Sequence, residues 1–229
     1  MKALLCRGTL LTLILVPKVF ASACPIATLN VYLTAGFTCL INDEPVANFT
    51  FSPSGYLPVS ASQINVTPTF TGSSYTLTFA SSGFNLTTSG ESVGYQINFT
   101  WDDPVVVRAE DGLDSDPPTS PGVASVTTNL CAGGLFGVTC SAPTNTLFVM
   151  NNGLTSIPVA DTSFPPSAVV DTQSLLTLST LAGGTSEITS FSETVFTPEP
   201  GALALATSGF FGLLLVALAR PRARLHPTL

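Results

Sequence analysis

Apolar and polar residues alternate in short runs through the middle of the chain. The clearest run is Val93-Gly94-Tyr95-Gln96-Ile97-Asn98-Phe99-Thr100-Trp101. Its odd-numbered residues are all apolar or aromatic, and its even-numbered ones are small or polar. Side chains on a strand point to opposite faces in turn, so this run predicts a half-buried strand. Tyr75-Thr76-Leu77-Thr78-Phe79 repeats the pattern. Further strands are predicted over 38–41, 48–51, 64–70, 105–108, 123–130, 146–150, 168–171 and 188–196. Turn chemistry separates them, at Pro53-Ser54-Gly55, Thr71-Gly72-Ser73-Ser74, Ser81-Ser82-Gly83, Pro117-Pro118, Asn151-Asn152-Gly153 and Pro165-Pro166. Many short strands between such turns predict an all-β fold, an antiparallel β-sandwich of jelly-roll or similar type. No long apolar stripe of helical period occurs; residues 27–35 have room for a turn or two of helix. Residues 111–121 are expected as the longest exposed loop.

The two ends read differently. Lys2 and Arg7 open the chain, Gly8 to Val16 is apolar, and Ala21-Ser22-Ala23 fits a small-residue cleavage site. This predicts a signal peptide over 1–23, cut by signal peptidase between Ala23 and Cys24. The run is too short for a hydrocarbon core of about 30 Å. A retained anchor is the alternative. Near the other end, residues 202–219 are uncharged and rich in Leu, Phe, Ala and Gly. That length suits a transmembrane helix, and Arg220, Arg222 and Arg224 behind it predict a cytoplasmic tail over 220–229. The predicted body, 24–197, therefore lies outside the cytoplasm as one domain, on the outer side of the inner membrane.

Charge narrows the function classes. The chain has 14 acids and 7 Lys or Arg. Glu199 follows the body, and every base but Arg108 lies in an end segment. The body thus sets thirteen acids against one base, and it has no lysine or histidine, since His226 is in the tail. Nucleic acid needs a basic surface to neutralise phosphate, so that partner class is excluded. Nucleophilic catalysis by Ser or Cys ordinarily needs a neighbouring base, most often His, so the body is expected to be non-enzymatic. A glycosidase would need two convergent carboxylates. Asp102 and Asp103 are adjacent on a strand and point to opposite faces.

Cys24, Cys39, Cys131 and Cys140 are an even set in an exported body, which predicts two disulfides. Three pairings are possible. Cys24–Cys39 and Cys131–Cys140 are preferred because each closes a short local loop. Metal binding is disfavoured by the absence of paired C-x-x-C spacing and of histidine. An alternative for Cys24 is acylation as a lipoprotein, although Ala21 stands where a larger aliphatic residue is usual. It would leave Cys39 without its local partner.

Two binding roles remain open. Glu110, Asp111, Asp114 and Asp116 in the expected loop offer oxygen ligands for calcium, against the plainer reading of a solvated acidic loop; the EF-hand spacing is missing. Trp101, Tyr56, Tyr75 and Tyr95 are aromatic surfaces for a sugar, but Tyr75, Tyr95 and Trp101 fall in apolar rows where core packing is the plainer reading. The Asn-x-Thr triplets at Asn48, Asn65, Asn85 and Asn98 match glycosylation acceptors and read mainly as strand composition.

The order Pro198-Glu199-Pro200, small residues Gly201 and Ala202, an apolar helix and an arginine cluster resembles the PEP-CTERM sorting signal of Gram-negative bacteria that make exopolysaccharide. The resemblance covers about the last thirty residues. It implies recognition of 198–229 by an exosortase, removal of the helix, and delivery of the body to the cell surface or matrix, in association with exopolysaccharide or biofilm. The prolines break the helix and favour extended backbone, which leaves the motif accessible beside the membrane. Pro221 interrupts the arginines, and the tail is longer than the shortest members. A permanent anchor keeps the same topology without processing. A GPI signal does not normally end in a basic extension, and Leu57-Pro58-Val59-Ser60 does not match a sortase motif. The body is also similar to a recurrent PEP-CTERM ectodomain. It shares a cysteine at the cleavage site, a second before Ile41-Asn42-Asp43 and Asn48-Phe49-Thr50, and a Ser/Thr-rich strand before the motif. No activity follows from that likeness.

Overall fold

The structure is a computed structural model and describes residues 22–114, 122–181 and 183–198. The predicted signal peptide, up to residue 21, and the predicted sorting tail, from Glu199 onward, lie outside the described residues. The elements run β1 (Ser22–Ala23), β2 (Ala27–Thr28), α1 (Leu29–Tyr32), β3 (Thr38–Ile41), β4 (Glu44–Gly55) and a 3-10 turn (Ala61–Gln63). They continue as β5 (Asn65–Thr71), β6 (Ser74–Ala80), β7 (Asn85–Leu86), β8 (Ser92–Asp114), β9 (Gly122–Ala132) and β10 (Asn145–Asn151). The last are β11 (Ser156–Ile157), β12 (Val159–Thr180), β13 (Ser186–Glu187) and β14 (Ser190–Phe196). The described body is nearly all β, as the alternation predicts, and α1 is one helical turn within residues 27–35, where a turn or two had room.

One large sheet curls into a sandwich-like body, and β8 and β12 make the curl. They pair antiparallel along almost their whole lengths, with register shifts between Ser163, Ser167 and Val169. Pro165 and Pro166 sit at those shifts, where a missing N–H does least harm to a ladder. Before the irregularity β8 pairs with β4, from Gly55↔Val93 to Val46↔Trp101. After it, β8 pairs with β14, from Phe196↔Arg108 to Ser190↔Asp114. The first half of β8 thus belongs to a layer β3-β4-β8-β12-β9-β10, and the second half to a layer β12-β8-β14-β6-β5-β2. A small β7–β13 ladder stands apart.

The inward rows of the two layers make the core. Phe99 on β8 stacks on Phe49, meets Trp101 edge-on, and faces Phe79 on β6, with centroids 5.4, 5.5 and 5.9 Å away. Phe79 stacks in turn on Phe191 of β14 at 5.0 Å. Tyr75, Tyr95 and Trp101 are 4%, 1% and 1% exposed. They are core residues and are not available to a sugar. Burial, and next the bond to Asp43, pushes the Tyr75 phenol up to about 12.

Two sequence boundaries are corrected. The loop expected over 111–121 begins later, because β8 runs on through Asp114. The strand expected over 168–171 is the middle of the 22-residue β12. In both places polar residues occupy inward positions: Asp111 between Ala109 and Leu113, and Thr172 and Ser174 on β12. The hydrophobic alternation breaks there although the backbone alternation continues.

Both preferred disulfides form. Cys24–Cys39 has Cα atoms 4.7 Å apart, and Cys131–Cys140 has them 6.1 Å apart. Two disulfides mark an extracellular or periplasmic protein. Ser22 and Ala23 lie exposed along β3, paired with Cys39 and Leu40. Among the described residues, no helix is long and apolar enough to cross a membrane; the predicted span at 202–219 is outside them.

Candidate functional site: a cleft under the second disulfide loop

The outward face of the first layer is a polar comb. One row crosses five strands in register: Thr50 (β4), Asn98 (β8), Gln173 (β12), Asn129 (β9) and Thr146 (β10). Asn98 Nδ2 donates to Thr50 Oγ1 at 2.9 Å, and Thr146 Oγ1 donates to Asn129 Oδ1 at 3.0 Å. The next row pairs Thr100 with Asp171. These residues face outward because their neighbours Phe99, Ile97, Thr172 and Ser174 face the core.

Two devices turn this face into a cleft. The first is a bulge in β4: Ala47 opposes Thr100 and Thr50 opposes Asn98, so Asn48 and Phe49 share one position. Asn48 takes φ +59°, a left-handed conformation that asparagine tolerates better than most residues. The bulge buries Phe49 against Phe99 and sends Asn48 outward, where its Nδ2 donates to Thr100 Oγ1 at 3.3 Å. The second device is the loop closed by Cys131–Cys140. Gly133 N donates to Val169 O at 2.8 Å, and Phe136 N donates to Asp171 Oδ2 at 2.9 Å. Asp171 Oδ1 accepts from Thr100 Oγ1 at 3.0 Å. Asp171 therefore ties the loop to the strands beneath it. Gly134 is required there, because a Cβ would come within 2.0 Å of Thr139 Oγ1.

The result is a cleft of about 360 Å³, floored by Thr50, Asn98, Asp171 and Gln173 and walled by Leu135, Phe136 and Val138. A second depression of about 230 Å³ shares Asn48, Thr100 and Leu135 with it and extends to Asp102. The floor supplies amides, hydroxyls and a carboxylate; the wall is apolar. Removing the staple should open this wall. A loop of this length gives a bridge worth about 2.5 kcal/mol. Cys131→Ser with Cys140→Ser is expected to lose about that much stability by urea unfolding, with increased proteolysis between the two positions. Unchanged protease resistance would show that the strand contacts hold the wall alone.

No family model matches this chain, and no curated protein matches it. Among solved structures, it is similar to TmCBM61, determined in complex with β-1,4-galactotriose. The TM-score is 0.29 and the identity 12%, over 62% of this chain and 86% of that one.

Of the four acids offered as calcium ligands, the three that are described do not converge. Glu110 faces outward and accepts from Arg108 Nη2 at 2.7 Å. Asp111, the next residue, faces the core, and Asp114 is exposed at the end of β8. Asp116 lies outside the described residues. The cause is the strand itself, which sends neighbouring side chains to opposite faces. Among the described residues, no group of three or more His, Cys, Asp or Glu is placed to hold a metal ion. Tyr56, the remaining aromatic expected at a sugar site, lines a separate depression with Leu57, Gly83 and Asn85. Pro198 is described; Glu199, Pro200 and the arginines Arg220, Arg222 and Arg224 are not. Thr197 N donates to Ser73 O at 3.0 Å, so the chain leaves the body beside the β5–β6 turn.

Asp111 belongs to a polar cluster inside the sandwich. It pairs in register with Glu193 on β14, and the two are 1% and 2% exposed. From the facing layer, Thr128 Oγ1 and Ser174 Oγ lie 2.7 and 2.6 Å from Glu193 Oε1. Neither oxygen of Asp111 has a hydrogen bond of normal geometry, and the nearby Glu193 and Thr128 side chains only partly offset its burial. Burial raises both carboxyls above their ordinary values, Glu193 further, and the Asp111 charge raises Glu193 again. A proton on Glu193 would let it donate to Asp111.

Proposed function

We propose that this chain is an exported, non-enzymatic surface protein whose body binds extracellular polysaccharide in the cleft under the second disulfide loop. The observation that carries this reading is the pairing of a polar floor with an apolar wall around Asp171. A pyranose ring has the matching character, with C–H faces for the wall and hydroxyls for the floor. Disulfides and the absence of lysine and histidine from the body agree with life outside the cytoplasm and without nucleophilic catalysis.

Delivery is the second part of the proposal. The PEP-CTERM-type tail holds the body on the outer side of the inner membrane, and an exosortase then removes the helix and passes the body to the surface or matrix. Mass spectrometry of the protein from its native host tests this. The expected mature chain starts at Cys24 and ends near Pro198–Pro200. An intact chain through Ala219 would instead establish a permanent anchor. Binding is tested on a glycan array with that same native protein, and retention of no glycan would remove the polysaccharide reading.

A further inference from the structure

We propose that the ligand of this cleft is a neutral glycan, a chain of uncharged hexoses, and not an acidic polysaccharide. The inference rests on the reading of the cleft as a polysaccharide site and adds the class of sugar it selects.

The first ground is the side-chain inventory of the site. Thr50 and Asn98 contribute a hydroxyl and an amide, Gln173 a second amide, and Asn48 a third, on the rim. Each of these can donate and accept, as a sugar hydroxyl can. Asp171 and Asp102 only accept when ionised. Asp171 uses its two oxygens on Thr100 and Phe136, yet each keeps a further lone pair for a hydroxyl at the cleft floor. Nothing in the site offers a positive charge.

The second ground is that the rest of the body cannot supply one. Arg108 is the sole base between Cys24 and Pro198. It lies on the second half of β8, in the layer away from the cleft. Its Nη2 meets Glu110 at 2.7 Å and its Nε meets Asp161 at 3.1 Å. Its guanidinium also sits 4.5 Å over the ring of Phe196. A uronate or sulfate entering the cleft would meet Asp171, with Asp102 in the adjoining depression, and no counter-charge, in a body carrying thirteen acids. Like charges brought together at a binding site are disfavoured, here by about a hundredfold, or about 2.7 kcal/mol. Neutral sugars escape that penalty, and their binding by hydrogen bonds and apolar contact is nearly independent of salt.

The test is calorimetric titration of the native protein with laminarin, mannan and galactan as neutral probes, and alginate and polygalacturonate as acidic ones. Each is run at low and at physiological salt, with chelator and with calcium. Saturable binding of a neutral probe, little changed by salt or chelator and about a hundredfold tighter than either acidic probe, is expected. Gln173→Ala should weaken it about tenfold, as the loss of one hydrogen-bonding group in a binding site. Val138 is 78% exposed, so Val138→Asp should fold normally and, by adding a charge to the apolar wall, also weaken it. Acidic probes bound in chelator, or bound only when calcium bridges them to the acids, would overturn the neutral-glycan inference and leave the polysaccharide site standing. Neutral binding that both variants leave intact would place the site elsewhere. Binding of no probe in either class would overturn the polysaccharide reading itself.

Discussion

Phe99→Ala is expected to lower the unfolding free energy by about 4 kcal/mol, a large part of the 5–15 kcal/mol that holds a typical domain together. Phe99 is fully buried at the middle of β8, between β4 and β12. It is the ring at which the aromatic core branches. Phe49 from the β4 bulge stacks on one side, Trp101 meets it edge-on, and Phe79 approaches from the opposite layer. Truncation removes the transfer energy of the ring and leaves a cavity that rigid strands on both sides cannot close. The bulge also loses the partner that holds Phe49 inward, so Asn48 should move at the rim of the cleft. Urea unfolding monitored by Trp101 fluorescence measures the loss directly. Phe148→Ala is the control, since Phe148 is 44% exposed on β10, and a loss well below that of Phe99→Ala is expected. A loss below about 1 kcal/mol for Phe99→Ala would mean that the two layers are not joined through this ring.

That core was legible in the sequence because Val93, Tyr95, Ile97, Phe99 and Trp101 obey a strict two-residue period. The same period predicted which aromatics would be unavailable to a sugar. The cleft left no comparable trace. Asn48, Asn98 and Asp171 come from three strands far apart in the chain, and only the β4–β8–β12 register brings them together. The nearest local signal was Gly133-Gly134 beside Cys131, which marks a loop needing close backbone approach, and the outward set Asn98 and Thr100 on a strand otherwise read for its inward face. The local disulfides could be paired from spacing alone, whereas spacing alone could not say how the acids of the calcium candidate are oriented. Four acids close in sequence look like one cluster, but a strand running through Asp114 separates Glu110 from Asp111. The acid that matters to Asp111 is Glu193, on the last strand, and no sequence pattern connects them.

Stability of this protein is expected to fall as pH rises above the ordinary carboxylate range, and Glu193→Gln should remove much of that fall. Asp111 and Glu193 are both raised in the folded protein, from ordinary values of 3.8 and 4.5. Below those values folded and unfolded chains both hold the protons, and the stabilisation is complete. Above about 4.5 the unfolded chain releases both protons, while burial and the neighbouring charge make the folded pair hold on to one in this reading. The folded state then binds the extra proton, so each further pH unit costs about 1.4 kcal/mol until the pair itself ionises. Once both groups are ionised, two buried carboxylates face each other with only Thr128 and Ser174 as donors, and both hydroxyls already point at Glu193 Oε1. A glutamine at 193 keeps the carbonyl that Thr128 and Ser174 bond and replaces the titrating O–H with an amide donor to Asp111. Its donor does not depend on pH. The variant should therefore be less pH-sensitive by about one proton and more stable than the native protein at mildly alkaline pH. Urea midpoints across a pH series for both proteins decide it, because the other acids are common to the two and cancel in the difference. Parallel curves would show that the pair shares no proton. The pair also has a place in the architecture, since Glu193 lies on β14, five residues before the motif at Pro198, and takes its bonds from the opposite layer. Weakening it should loosen the strand that leads into the proposed sorting tail before it loosens the β4–β8–β12 floor of the cleft.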